Sequence, residues 1–430
     1  MKKFFAIMLA LVMVLGLVAC TSSDANGADN ANTNNEANTE NKAEANTENN
    51  TEAKGEAENE PAAEPAADVE YKVAMITDYG DITDQSFNQT TYEACQAFAA
   101  DNGIEFTYFK PAGDNTADRV AMIEKAADEG YNVMVMPGYA FAGAIVEAAP
   151  LYPDVKFIAL DVGEGDLLEA GVTAAGESYD YNPANWEFDK YVDLSNVYCA
   201  IYQEELCGYM AGYAAVKLGY TKLGFLGGMA VPAVMRYGYG YIQGVDAAAA
   251  ELGINVEMKY AYGNQFSGDA DITAAVDTWY NGGTEIVFAC GGSIYTSAAE
   301  AAAKVNAKVI GVDVDQKAII DGAYGEGMTV TSAMKGLYPA TYDTLADVII
   351  NGNWDNYKGK IVSLGLVSAD PTANYVQIPF ESTLWADGFT QDAYKALVEK
   401  MFNGEIAVSN DISAMPATTN VTVEDLGNLK

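Results

Sequence analysis

Histidine is absent from this 430-residue sequence. Its absence excludes Ser-His-Asp and Cys-His catalysis and every metal site that contains histidine. Basic residues are also few: 23 lysines and arginines stand against 61 acidic residues, the net charge is −38, and the only arginines are Arg119 and Arg236. Because nucleic acid is held by rows of basic side chains, this charge argues against a nucleic-acid partner. The sequence has no phosphate-binding loop of the Walker type, and we predict no cofactor and no metal.

The N-terminus carries an export signal and a lipidation site. Two lysines precede an apolar run over residues 4–19, which is too short for a spanning helix and has the flanks of a secretory signal. The run ends in Leu-Val-Ala-Cys20, which resembles the lipobox of bacterial lipoproteins. The resemblance implies that residues 1–19 are a signal peptide. Cys20 then becomes the lipid-modified N-terminus, which anchors the mature chain to the outer face of the cell membrane.

The segment that follows Cys20 is acidic and has almost no large apolar side chain. Residues 21–70 carry 13 acidic residues against two lysines, among many Asn, Ala and Thr. Such a composition cannot bury enough apolar surface to offset the entropy of ordering, and like charges keep it extended. We therefore predict that residues 20–70 are the lipidated cysteine and a disordered tether.

Four further cysteines follow the tether: Cys95, Cys199, Cys207 and Cys290. None of them forms a C-x-x-C pair, and each lies in an apolar stretch. An even number of cysteines in an exported chain leaves disulfides open. The apolar surroundings favour buried free thiols instead.

From residue 71 onward, short apolar runs alternate with helical stretches of ten to fifteen residues. This alternation is typical of βαβ units with a parallel sheet. It stops at an irregular segment, 163–194, and then restarts, which predicts an α/β fold with two doubly wound, Rossmann-like lobes around a central cleft. The predicted boundaries are 71–194 for lobe 1, with part of about 318–350 crossing back to it, and 195–317 for lobe 2, with about 351–430. Residues 351–365 are predicted to form a loose hairpin.

Carboxylates and glycines stand where several of these apolar runs end. Among them are Asp78, Gly138, Asp161, Gly228, Gly291 and Asp313. Doubly wound folds bind ligands at the carboxyl ends of their strands, so these residues predict the rim of the cleft. Carboxylates accept hydrogen bonds from N–H and O–H groups, so the rim suits a neutral ligand rich in hydroxyl and amine groups and repels phosphate. Each aspartate alone has an alternative role as the cap of the next helix.

The loop after the first apolar run begins near Asp78 and leads to Phe87 and Asn88. An aromatic side chain at a helix start, beside an amide and a carboxylate, is a platform for a ring of the size of a nucleobase. Asn88 and Asp78 are then placed to read the edge of that ring. The alternative is that Phe87 is a hydrophobic staple and Asn88 a helix cap.

Motifs spread over nearly the whole of residues 71–430 carry a family resemblance. They are Ile-Thr-Asp78, Asp84-Gln-Ser-Phe87-Asn88-Gln, Tyr152-Pro-Asp-Val-Lys-Phe-Ile-Ala-Leu-Asp161, Gly227-Gly228-Met229, Gly291-Gly292, Ile310-Gly-Val-Asp313-Val-Asp315-Gln316 and Thr331-Ser-Ala-Met-Lys335. With them, the chain resembles the basic membrane protein family of extracytoplasmic lipoproteins. The resemblance implies a type I periplasmic-binding-protein fold and a protein that delivers its ligand to the permease of an ABC importer. In several members of the family that ligand is a purine nucleoside.

The strand ends and the resemblance together predict ten ligand-binding residues, whose individual roles the resemblance implies. They are Asp78, Phe87, Asn88, Gly138, Asp161, Tyr237, Phe266, Gly291, Asp313 and Lys335. By position, Phe87 is one face of an aromatic sandwich around the base, and Asn88 and Asp161 read the base edge. The second aromatic is open between Tyr237, where the family usually has Phe, and Phe266. Asp313 accepts the ribose 2′- and 3′-hydroxyls, with Lys335 beside it. The 163–194 segment is longer than the usual connection of the family.

Three other functions compete with this interpretation. A sugar or autoinducer receptor of the same fold uses similar aromatic platforms and carboxylates. An adhesin or sensor lipoprotein fits the acidic tether equally well but leaves a two-lobed cleft without a purpose. An enzyme is suggested only by the Ser-x-x-Lys spacing of Ser332 and Lys335, whose companion motifs are absent. We therefore predict that the protein is not an enzyme.

Overall fold

The computed structural model describes residues 69–430. The predicted signal peptide, Cys20 and the tether as far as residue 68 lie outside the described residues. Within residues 69–430, no helix combines the length and the apolar character needed to cross a membrane.

Strands and helices alternate along most of the described chain. The strands are β1 (Lys72–Ile76), β2 (Glu105–Phe109), β3 (Val133–Pro137), β4 (Lys156–Leu160), β5 (Val197–Tyr202), β6 (Lys222–Gly227), β7 (Val256–Tyr262), β8 (Ile286–Cys290), β9 (Lys308–Asp313), β10 (Thr329–Lys335), β11 (Lys360–Leu364), β12 (Val376–Gln377) and β13 (Val421–Asn428). The helices are α1 (Phe87–Asn102), α2 (Thr116–Asp128), α3 (Ala142–Ala148), α4 (Glu164–Ala174), α5 (Phe188–Tyr191), α6 (Glu204–Lys217), α7 (Pro232–Leu252), α8 (Ala270–Asn281), α9 (Tyr295–Val305), α10 (Lys317–Tyr324), α11 (Leu337–Leu345) and α12 (Gln391–Phe402).

The strands form two sheets with the same internal order. The first sheet runs β11-β5-β4-β3-β1-β2 and is parallel throughout. The second runs β12-β10-β9-β8-β6-β7-β13 and is parallel except for the pairing of β12 with β10. The first sheet contains the series β2-β1-β3-β4-β5, and the second contains the equivalent series β7-β6-β8-β9-β10. Each is the doubly wound order 2-1-3-4-5, in which the winding reverses once: between β1 and β3 in the first sheet, and between β6 and β8 in the second. The predicted fold class is confirmed.

The central strands are apolar along their whole length because helices cover both faces of each sheet. Every residue of β3 (VMVMP) and of β8 (IVFAC) is buried. Polar caps begin several of the covering helices: the side chains of Asn115 and Asp269 accept hydrogen bonds from backbone N–H groups in the first turns of α2 and α8. The apolar runs that predicted the strands are thus buried in the sheets, and polar side chains cap helices that cover them.

The chain passes between the two sheets three times: after β5, after β10, and between β11 and β12. The backbone N–H of Gln203 donates to Leu364 O at 2.9 Å, and that of Gly336 donates to Tyr375 O at 2.6 Å. The three passages, which we call the hinge segments, are therefore hydrogen-bonded to one another. Short passages of this kind are where two lobes bend when they close on a ligand.

The sheet topology moves the predicted lobe boundaries in two places. Residues 195–202 were expected in lobe 2, but β5 pairs with β4 in the first sheet, with Phe157 opposite Val197. Residues 351–365 were expected as a hairpin of lobe 2, but β11 is a single strand parallel to β5. The return to lobe 1 near 318–350 is made by α11, where the Tyr342 hydroxyl donates to Asp101 in α1 at 2.8 Å.

The segment 163–194, expected to be irregular, contains α4 and the short α5. The Asp166 carboxylate accepts from the Gly163 N–H at 2.9 Å and so caps the start of α4. Gly171, which weakens the helix pattern in sequence, is required by packing, because a Cβ there would lie 2.6 Å from the Tyr191 carbonyl oxygen.

The prediction of free, buried thiols is confirmed: Cys95, Cys199, Cys207 and Cys290 are all buried and unpaired with one another. Cys207 lies on α6, which packs closely against α7. The approach of these helices depends on glycine, since a Cβ at Gly240 would stand 2.1 Å from the Glu205 carbonyl oxygen. The side chain of Glu205 is buried, and its Oε2 has no hydrogen-bond partner within residues 69–430.

We expect Glu205 to make folding stability depend on pH. Burial raises the pKa of this carboxyl to about 7, so the folded protein takes up a proton that the unfolded chain takes up only at lower pH. The free energy of unfolding should therefore rise as pH falls from 8 to 5. Glu205→Gln should stabilise the protein by about 1–3 kcal/mol at pH 8 and by little at pH 5. Urea denaturation at both pH values measures this, and Glu257→Gln, at a largely exposed position, is the control without such a dependence.

Candidate functional site

A cleft of about 590 Å³ lies at the carboxyl ends of the strands of both sheets. All ten residues predicted to bind the ligand line it: Asp78, Phe87, Asn88, Gly138, Asp161, Tyr237, Phe266, Gly291, Asp313 and Lys335. They converge because parallel strands of one sheet end at the same edge, and two such edges face this cleft.

The reversal point of the first sheet holds Asp78, which follows β1, and Gly138, which follows β3. Gly138 has φ +123°, and a Cβ there would lie 3.3 Å from the Asp78 carboxylate. Asp78 Oδ1 accepts from the N–H groups of Tyr79 and Gly80, both at 2.7 Å. These bonds hold the Asp78 carboxylate at the cleft wall. Because residue 138 is glycine, no side chain fills the space that this carboxylate occupies.

The reversal point of the second sheet holds Gly228 and Gly291, which follow β6 and β8. A Cβ at Gly228 would lie 2.5 Å from the Phe266 ring, and one at Gly291 would lie 2.8 Å from it. The Phe266 ring therefore packs against the backbone of both glycines, and it borders the cleft. This explains in physical terms why two glycine pairs follow strands of the second lobe.

Asn88 is held in one orientation by two carboxylates. Its Nδ2 lies 3.3 Å from Asp78 Oδ1 and 3.2 Å from Asp84 Oδ2, to both of which it donates. Its Oδ1 is buried and has no partner within the described chain. Asp84, whose pKa is raised by burial, accepts from the backbone N–H groups of Asn88 and Gln89 and is therefore the cap of α1. The cap role considered for Asn88 belongs to Asp84, and Asn88 retains a free acceptor.

Asp313 ends β9 in the left-handed region at φ +64°, a costly conformation for a non-glycine residue. Its Oδ2 accepts from Ser86 Oγ at 2.5 Å, across the lobes, and its Oδ1 accepts from the Tyr237 hydroxyl at 3.3 Å. Burial raises the pKa of Asp313, although Lys335 and the Ser86 hydrogen bond oppose this. Tyr237 is 1% exposed and donates a hydrogen bond to Asp313, whereas Phe266 is half-buried and borders the cleft.

Comparison with known proteins decides the family. The profile of the Bmp family, described as ABC transporter substrate-binding protein PnrA-like, matches residues 71–411. The chain belongs to this family. Among similar proteins is the ABC transporter nucleoside-binding protein BmpA of Lactococcus lactis, 25% identical over 58% of this chain and 65% of that protein. The chain thus matches slightly less than two thirds of that relative. Basic membrane protein B of Borreliella burgdorferi is 26% identical over 70% of this chain and 81% of its own.

Solved structures agree on the fold of this Bmp-family protein. A solute-binding protein of an ABC transporter system from Aeropyrum pernix covers 80% of this chain and 88% of its own, with 20% identity and a TM-score of 0.57. A second, from Conexibacter woesei, covers 79% of this chain and 99% of its own, with 22% identity and a TM-score of 0.56. The type I fold and the membership in an ABC substrate-binding family are both confirmed.

The Bmp-family cleft has a buried charged group at its base, which we call the Lys335 cluster: Lys335, Asp161, Asp313, Glu204 and Arg236. The Lys335 ammonium forms an ion pair with Asp161 and lies 3.5 Å from Glu204 Oε1 and 3.7 Å from Asp313 Oδ1. Burial acts to lower the pKa of Lys335, but the three carboxylates outweigh it and leave the pKa above its ordinary value. The ammonium therefore stays charged and joins carboxylates from both lobes.

Asp161 lies away from Asp78 and beside Lys335. Asp161 follows β4 and Asp78 follows β1, with β3 between them, so their backbones lie about 10 Å apart along the sheet edge. Asp161 was expected to read the base edge with Asn88, but its Oδ2 is paired with Lys335, next to Asp313. Its Oδ1 is buried and without a partner in residues 69–430, and its φ is +61°.

Glu204 was not among the predicted site residues, and Arg236 had no predicted contact. Glu204 begins α6 and is fully buried, and its Oε2 accepts from Arg236 Nε at 2.7 Å. Burial raises the pKa of Glu204, against the effect of Arg236 and Lys335. The available signal was an acidic pair, Glu204 and Glu205, at the start of a helix that is otherwise apolar as far as Lys217.

The Ser-x-x-Lys spacing forms no Ser–Lys pair. Ser332 and Lys335 lie on β10 three positions apart, so their side chains leave opposite faces of the strand. Ser332 Oγ accepts from the Gln316 N–H at 3.2 Å, whereas Lys335 lies among carboxylates. The arrangement of this family member is suited to binding a ligand through hydrogen bonds and ring contacts.

Proposed function

We propose that this Bmp-family protein is a lipid-anchored receptor that binds a purine nucleoside outside the cell and delivers it to an ABC permease. The observation that carries the proposal is the pairing, in one cleft, of aromatic rings from both lobes with hydrogen-bond acceptors at two separate places. A nucleoside has a flat base that stacks on aromatic rings and a ribose with neighbouring hydroxyls, so it matches both features.

The base is proposed to lie against Phe87 and Phe266, with its polar edge at Asp78 and Asn88. Asp78 faces the cleft with a carboxylate, and Asn88 offers the acceptor Oδ1, because its Nδ2 is committed to Asp78 and Asp84. Acceptors at this end suit the N–H groups of a purine. The Lactococcus lactis relative is named a nucleoside-binding protein, which supports a nucleoside as the ligand class.

The ribose is proposed to lie at Asp313, with Asp161 and Lys335 beside it. A carboxylate accepts two vicinal hydroxyls at once, and hydrogen bonds to a charged acceptor are the stronger ones. Lys335 keeps the two carboxylates from repelling each other. Asp161 Oδ1 has no partner in the described chain, and each Asp313 oxygen accepts one hydrogen bond and keeps a lone pair for the ligand. Because the cleft carries more carboxylates than cations, a nucleoside is favoured over a nucleotide with its phosphate.

Delivery and anchoring follow from the fold and the N-terminus. Closure of two lobes about hinge segments changes the outer surface that a permease meets. Relatives from Pyrococcus abyssi and Pyrococcus horikoshii are named lipoproteins, which supports the lipidation proposed for Cys20.

A thermal-shift panel tests the proposal. The purified protein is heated with guanosine, adenosine, inosine, free bases, ribose and common hexoses. A ligand at 100 times its Kd adds about 2.7 kcal/mol of stability, which is readily measured. We expect purine nucleosides to raise the Tm and hexoses to leave it unchanged. Stabilisation by a hexose alone would replace the nucleoside with a sugar, and no shift with any compound would favour an adhesin or sensor.

A further inference from the structure

Glu204 and Arg236 form a buried ion pair beside the cleft without lining it. The residues that border the cleft include Lys335, Asp161 and Asp313 but neither member of this pair. Glu204 is fully buried and the Arg236 side chain is 16% exposed. The free energy needed to remove both charges from water offsets much of their attraction, so a buried ion pair adds little to folding stability. Its presence therefore suggests a role other than stability.

The two oxygens of Glu204 face two different cations. Oε2 accepts from Arg236 Nε at 2.7 Å, and Oε1 lies 3.5 Å from the Lys335 ammonium. Glu204 and Lys335 both adjoin hinge segments: Glu204 follows Gln203 directly, and Lys335 precedes Gly336. Glu204 therefore connects the first passage between the lobes to the second, at the point where Lys335 reaches the cleft.

Arg236 would compete for the cleft carboxylates if Glu204 did not hold it. Burial acts to lower the pKa of Arg236, but attraction to Glu204 and to Asp161 keeps the pKa above its ordinary value. Asp161 Oδ1 is buried and unpartnered in the described chain. Glu205 Oε2 is a second buried oxygen without a partner in residues 69–430, but of the two carboxylates only Asp161 borders the cleft.

We infer that Glu204 is a positioning residue for the ligand: it restrains Arg236 and steadies Lys335, so that Asp161 and Asp313 keep free acceptors for ligand hydroxyls. The inference rests on the proposed function, because it assigns those acceptors to the ribose. Glu204 touches no ligand and acts through its two cations.

The test is the ratio of the Kd for 2′-deoxyguanosine to the Kd for guanosine, measured by calorimetry on the full chain. A general loss of folding changes both values equally, whereas loss of the hydroxyl site changes their ratio. In the wild type, a missing hydroxyl should weaken binding about 10-fold or more. In Glu204→Gln the ratio should fall below about 3, because Arg236 and the unrestrained Lys335 then compete with the ligand hydroxyls for Asp161 and Asp313.

Two further variants separate positioning from packing. Arg236→Gln should keep the wild-type ratio, since Glu204 still pairs with Lys335 and no competitor remains. Glu204→Gln combined with Arg236→Gln removes both charges and should restore the ratio lost in Glu204→Gln. A Glu204→Gln ratio within twofold of the wild type, or a double variant as low as the single one, would overturn the inference. If the wild type binds neither nucleoside, it is the proposed function that fails.

Discussion

Replacing Asp313 with Asn is expected to weaken nucleoside binding about 100-fold or more, because two hydrogen bonds to a charged acceptor are lost. The amide that replaces the carboxylate keeps one acceptor oxygen, and Ser86 and Tyr237 already donate to this side chain. Its NH2 group would then face the donors of Ser86, Tyr237 or the ligand. Isothermal titration with guanosine measures the loss.

The fold should tolerate this substitution, since Asn adopts the left-handed conformation that residue 313 requires at φ +64°. Asp315→Asn is the matched control: it makes the same chemical change two residues away, where the carboxylate accepts from the Lys317 N–H and does not border the cleft. It should change Kd less than about twofold. An Asp313→Asn variant that binds guanosine as tightly as the control would remove Asp313 from the ribose site.

The composition of the cleft could be predicted from sequence, since a parallel α/β fold carries a simple geometric rule. Asp78, Gly138 and Asp161 each follow an apolar run, and such runs end at one edge of a sheet. The predicted residues of the cleft therefore required only the strand ends and the motif resemblance. The same rule accounts for Gly291 and Asp313 in the second lobe.

The pairing of residues inside the cleft required the structure. Asp161 lies beside Lys335 because β10 of the second sheet ends opposite β4 of the first, a relation between lobes that no local pattern carries. β5 and β11 were assigned to the wrong lobe for a similar reason: a strand next to a hinge segment can pair with either sheet, and only its partner decides. Glu204 was missed because acidic residues at a helix start usually serve the helix dipole at the surface.

Replacing Lys335 with Met is expected to lower the free energy of unfolding by about 3–5 kcal/mol at pH 8, since it leaves buried carboxylates without their cation. Burial already raises the pKa values of Asp313 and Glu204, and loss of the ammonium raises them further. The folded variant then binds protons that the unfolded chain binds only near its ordinary pKa of about 4. Its stability relative to the wild type should therefore recover as pH falls from 8 towards about 5. Urea denaturation across this range measures the change.

Lys395→Met separates the loss of charge neutralisation from the loss of a ring contact. The Lys395 ammonium lies 4.9 Å from the centre of the Phe380 ring, much as Lys335 lies 4.5 Å from that of Phe87, but residue 395 is exposed. Its replacement should cost less than about 1 kcal/mol and show no pH dependence. Equal costs for the two variants at every pH would mean that the carboxylates around Lys335 do not repel one another. Lys335 would then contribute only through its contacts with the aromatic rings, and the ligand would meet neutral acids in the cleft.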